Sequence, residues 1–171
     1  MRLFKTIILI ICSITVIHFS ISCERDDICA ENAATTPFLI IKFIDDVTAT
    51  DTKRPNELQI GAEGSDTVIN FETNLDSIMI PLKTDASLTN FRFTIDSDTT
   101  DDATIPNVDM LSFQYSPQEE YVSSACGFRV IYNGLTNSLT PEEGGENWIK
   151  RISILEQNII NETNAHVLIF H

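Results

Sequence analysis

Past the first three dozen residues, apolar side chains return at every second position in short runs broken by turn-forming residues, the period of strands that lay one face on a core. Phe38 to Ile44 is apolar on both faces apart from Lys42, as expected of a strand covered on two sides. Leu58-Gln59-Ile60 and Val68 to Phe71 are shorter candidates, with Gly61 and Gly64 between them, and Ile78, Ile80 and Leu82 form one face next to Pro81, which marks an edge or an early end. Phe91, Phe93 and Ile95 alternate with Arg92, Thr94 and Asp96, and Leu111, Phe113 and Tyr115 with Ser112, Gln114 and Ser116. Cys126, Phe128, Val130 and Tyr132 share a phase that predicts a buried face, and Trp148, Ile152 and Ile154, then Val167 to Phe170, complete the series. With no helical period longer than a turn or two, these eight or nine short strands predict an all-β fold, an antiparallel β-sandwich of immunoglobulin-like or transthyretin-like topology. Trp148 follows both Cys29 and Cys126, where an antibody domain would have its tryptophan between the cysteines.

The N-terminus obeys a different logic. Arg2 and Lys5 precede an apolar run from Ile7 to Phe19, and Ser20 to Ser22 supply a small-residue exit into Cys23, the three zones of a secretory signal. The run is short of the about 20 apolar residues a spanning helix needs. Ser20-Ile21-Ser22-Cys23 resembles a bacterial lipobox, with Ser20 where leucine is usual. The organisation expected is therefore a lipoprotein signal peptide at 1–22, a lipidated acidic tether at 23–36 and one sandwich domain at 37–171. The Cys23 thiol would carry a diacylglycerol and its freed amine another acyl chain, and two or more chains hold a protein stably where one does not.

Cleavage leaves 149 residues, enough for one domain with a sizeable core, and leaves nine basic residues against 25 acidic ones, a formal charge of −16. That balance argues against nucleic acid and against a basic lipid-binding face. The N-terminal lipid makes the membrane one expected partner, and an anchored sandwich without a recognisable active site leaves docking to an outer-membrane barrel or surface protein as the other. Glu24-Arg25-Asp26-Asp27 reads as a solvated tether, and it also resembles the export signal that sends Bacteroidota lipoproteins to the outer face of the outer membrane, so both leaflets stay open.

If Cys23 is acylated, Cys29 and Cys126 remain, and an oxidising compartment allows them to pair, the alternative being two separate buried thiols. The pieces Cys23 and Cys29, Ser77-Ile78-Met79-Ile80-Pro81-Leu82, Val108-Asp109-Met110-Leu111-Ser112-Phe113, Ala125-Cys126-Gly127-Phe128, Asn147-Trp148-Ile149 and Ala165-His166-Val167-Leu168-Ile169-Phe170-His171 resemble, in their order, a family of uncharacterised Bacteroidota lipoproteins, a domain of unknown function. The resemblance brings no activity and no catalytic residue.

Nor do the residues themselves supply an enzyme. The chain has no Gly-x-Ser-x-Gly elbow, no His-Glu-x-x-His, no phosphate-binding glycine loop and no cysteine pair at zinc spacing. Ser123 and Ser124 have no base beside them in sequence, and His166 and His171, five apart, are expected on opposite faces of a strand. The sharper candidate is calcium at Asp96, Asp98, Asp101 and Asp102, whose alternating start resembles a calcium loop, although the sixth position is not glycine and the twelfth is Asn107. A solvated hairpin tip explains the same residues. The expected function is a non-catalytic interaction or structural lipoprotein of the outer membrane or cell surface, with calcium or glycan binding as the alternative and no obligatory cofactor.

Overall fold

The computed structural model describes residues 28–65, 67–71, 75–100, 104–140 and 146–171. Cys23, Asp101 and Asp102 lie outside them. Nine strands are present among the described residues, β1 (Leu39–Ile44), β2 (Gln59–Ala62), β3 (Val68–Asn70), β4 (Ser77–Ile80), β5 (Leu88–Ile95), β6 (Asn107–Ser123), β7 (Gly127–Thr140), β8 (Arg151–Ile154) and β9 (Val167–Phe170), and no helix. They form two sheets, of order β4-β1-β9-β8 and β3-β2-β5-β6-β7, a β-sandwich. The pairings registered are antiparallel except one: β1 runs parallel to β9, with Ile41 opposite Val167 and Phe43 opposite Ile169.

The alternation read from the sequence is what builds the core. Leu39, Ile41 and Phe43 of β1 and Val167 and Ile169 of β9 point inward fully buried, and Phe93, Leu111 and Phe113 do so from the other sheet. Each such side chain contributes about 1.5–3 kcal/mol by leaving water. Trp148 lies just ahead of β8 instead of inside it. Its indole Nε1–H donates to the Phe93 carbonyl at 3.2 Å, and its ring packs on Phe43 and edge-on to His171. Tyr115 and Tyr132 meet edge to face at 5.0 Å, and their hydroxyls donate to the carbonyls of Lys83 and Leu82, fastening the β4–β5 connection. Burial pushes the Tyr132 hydroxyl up to about 12.

Two expectations need correction. β6 and β7 are 17 and 14 residues long, not short, and β6 pairs with β5 only from Asn107 to Gln114, so the strand outruns its neighbour. Cys126 is not on a buried strand face. It sits in the turn between β6 and β7, and Phe128, in phase with it, is 66% exposed.

Among the described residues the chain divides into two compact units, one made of residues 28–33 with Ser123–Gly127, the other of Ala34–Val122 with Phe128–His171. The first holds a disulfide between Cys29 and Cys126, 97 residues apart in sequence. Ser123 Oγ accepts the Cys126 N–H at 3.0 Å, and Gly127, at φ +75°, takes the left-handed turn that a side chain would strain. The second holds the sandwich.

Candidate functional site

Between β8 and β9 the chain has no regular strand for twelve residues, yet it is fixed by backbone bonds to β7. Ile159, fully buried, exchanges both backbone hydrogen bonds with Tyr132, at 2.7 and 3.1 Å. The next bond, two residues back along the connection, is made by Leu135, whose N–H donates to the Gln157 carbonyl at 2.8 Å. Three residues of β7 thus face two of the connection. Gly134 absorbs the extra one at φ +67°, a β-bulge that shifts the buried phase from Tyr132 to Leu135.

His166 closes this connection onto β1. Its Nδ1 accepts the Ile40 N–H at 2.9 Å, its own N–H donates to the Ile40 carbonyl, and its carbonyl accepts the N–H groups of Leu155 and Glu156. With Nδ1 an acceptor, Nε2 carries the proton and donates it to the Asn161 carbonyl at 2.9 Å. The ring is 3% exposed, and burial lowers its pKa below the usual histidine value, outweighing the Asn161 hydrogen bond and the charges of Glu156 and Glu162. His166 and His171 flank β9 instead of lying on opposite faces of it. Burial lowers His171 as well, and its Nε2 lies 3.1 Å from the Lys53 carbonyl.

Beside His166 a cavity of about 220 Å³ is lined by Glu156, Asn158, Ile160, Asn161, Asn164 and His166. Asn158 Oδ1 accepts the Gly134 N–H at 3.2 Å and Asn161 Oδ1 the Thr163 N–H at 3.0 Å. Each amide is therefore held by its oxygen, which leaves its NH₂ end available to a ligand. The histidine, in contrast, has both ring nitrogens committed to the backbone. The arrangement suits hydrogen-bonded recognition, with the imidazole itself already spent on the backbone. Composition hinted at none of this, since the polar run Asn161-Glu162-Thr163-Asn164 reads as an ordinary loop.

Of the acidic loop, Asp96 and Asp98 are described. Asp96, at φ +51°, accepts the Asn56 side-chain amide through Oδ1 at 2.7 Å. Asp98 accepts the Thr100 N–H at 2.9 Å, which lowers its pKa, and its own N–H donates to Glu57 Oε2 at 3.3 Å. Among the described residues no group of three or more His, Cys, Asp and Glu side chains could hold a metal ion. Ser123 is occupied in the turn, as above.

Neither a curated protein nor a solved structure matches the chain. Residues 57–171, from just ahead of β2 through the whole of the β8–β9 connection and His166 to the end of β9, match a family of unknown function (DUF6452), more than half the chain, and the protein belongs to that family.

Proposed function

We propose that the protein is a non-catalytic interaction module carried on the outer membrane by a lipid on Cys23, a member of the Bacteroidota lipoproteins it resembles. The observation that supports binding over catalysis is the cavity at His166. Its imidazole is locked by the Ile40 N–H and the Asn161 carbonyl, while two asparagine amides are held by their oxygens with their donors unspent. Docking to an outer-membrane barrel or a surface complex built on one fits an anchored chain of formal charge −16, and steering by that charge makes the association weaken with salt.

The same cavity favours a glycan as the second reading. Its lining carries three asparagine carboxamides and the Glu156 carboxylate, groups able to donate to and accept from sugar hydroxyls. The test is labelling of cells with a clickable fatty acid, followed by crosslinking in intact membranes. Label on the wild type and none on Cys23→Ala, together with a specific crosslinked envelope protein, is the expected result. Equal labelling of both, or no specific partner at any ionic strength, contradicts the proposal.

A further inference from the structure

The aromatic pair at the far end of the β6–β7 hairpin has no place in the core. Tyr121 and Phe128 stack edge to face with ring centroids 5.4 Å apart, and they are 59% and 66% exposed. They stand on the stretch where β6 has run past its pairing with β5, which ends at Gln114. An exposed aromatic pair in water gains little for the fold. At a membrane surface the same two rings have a use, because an amphipathic tyrosine and a phenylalanine partition to headgroup level, with the phenol oxygen left in the wet layer.

The disulfide says which surface is within reach. Along the backbone Phe128 is 105 residues from Cys23. Through the Cys29–Cys126 bridge, whose Cα atoms are 4.7 Å apart, the path shrinks to six residues of tether and two residues of turn. Fully extended, those six residues span at most about 20 Å and the two about 7 Å. An acyl chain on Cys23 therefore keeps the aromatic pair within about a bilayer's thickness of the headgroups at all times. Glu120 nearby is neutralised by Arg129, whose Nε and Nη2 lie 2.6 and 2.5 Å from Glu120 Oε2.

We infer that Tyr121 and Phe128 form a membrane-interface contact, seating the hairpin end in the headgroup layer of the leaflet that holds the lipid anchor. The inference rests on the lipoprotein reading of Cys23. The chain is strongly acidic, so the favoured surface is zwitterionic. Such a seat fixes which end of the β6–β7 hairpin faces the bilayer.

The experiment uses the lipoprotein purified from native membranes and reconstituted in phosphatidylethanolamine–phosphatidylcholine vesicles, carrying Phe128→Trp or, separately, Tyr121→Trp. Trp148, 6% exposed, is the internal reference. Lipids brominated close to the headgroup should quench the new tryptophan at least twofold more than they quench Trp148 in the unsubstituted protein, and vesicles should shield it at least twofold from aqueous acrylamide. Intact mass of the same sample reads the acyl chains. Acylated protein whose new tryptophans are quenched by acrylamide alone, in both variants, overturns the membrane contact and leaves the anchor standing. Protein without acyl chains removes the anchor, and the inference with it.

Discussion

Replacing His166 with alanine should destabilise the fold and flatten its response to acid. The truncation leaves the Ile40 N–H of β1 without its acceptor, at a cost of about 1–3 kcal/mol, and removes the Nε2–H bond to Asn161, about 0.5–1.5 kcal/mol more. A total near 3 kcal/mol corresponds to a fall in Tm of about 6–12 °C for a chain of this size. The pH effect has a definite sign. In the folded protein Nδ1 faces a donor, so a second ring proton would oppose the Ile40 N–H, and burial already holds the pKa below 6.5. Above pH 6.5 the ring is neutral in both states and its stabilisation is complete. As the pH falls below 6.5 the unfolded chain takes up a proton that the folded chain refuses, and stability declines by at most about 1.4 kcal/mol per pH unit for this residue until the folded pKa is passed. His171, lowered by burial as well, adds a decline of the same sign. Urea unfolding at intervals from pH 7.5 to 5.0 reads both effects and stays above the range in which the lowered Asp45 and Asp98 protonate. Parallel pH profiles for wild type and His166→Ala, or a wild type that gains stability between pH 6.5 and 5, would refute the assigned tautomer and its role.

Cys29→Ser should lower the unfolding free energy by up to about 4.7 kcal/mol, the chain-entropy value for a closed loop of about 100 residues, and non-reducing peptide mapping of the wild type should join the Cys29 and Cys126 peptides; two free thiols in oxidised protein would contradict the bridge. Gly134→Ala should cost about 1–2 kcal/mol, because no atom lies within 4 Å of the added Cβ and the penalty is that of the left-handed backbone alone, whereas Gly134→Asn, which tolerates that conformation, should cost less; equal stability of all three by urea melt would mean the bulge relaxes.

How far the sequence foretells this fold varies from strand to strand. β1, β5 and the first half of β6 are half-buried or doubly covered, so Leu39 to Phe43, Phe91 to Phe93 and Leu111 to Tyr115 carry the period in full. β7 hides it, since the bulge at Gly134 places two buried residues three apart and breaks the alternation from which a face is read. The end of the hairpin hides it for another reason. Ser116 and Gln118 to Tyr121 are exposed, and strands that cover no core leave no alternation to find. Cys126 was legible as a disulfide candidate by counting, but not as a turn residue, since its apparent phase with Phe128 reflected two neighbours that are not on a buried face. The cavity was least legible, for its asparagines are set by backbone bonds to Gly134 and by a local turn at Thr163, and neither kind of bond leaves a mark in composition.

The parallel pairing of β1 with β9 also sets the order in which the domain can be made. β9 comes last of the nine strands in the chain but occupies an inner place, with β1 on one side and β8 on the other. Until residues 167–170 are in place, β4 with β1 and β8 by itself are two fragments of one sheet, each with an open edge. The closing contact spans well over a hundred residues, the kind of long-range pairing that delays folding. The four-stranded sheet is therefore closed only when the final strand enters the gap between β1 and β8.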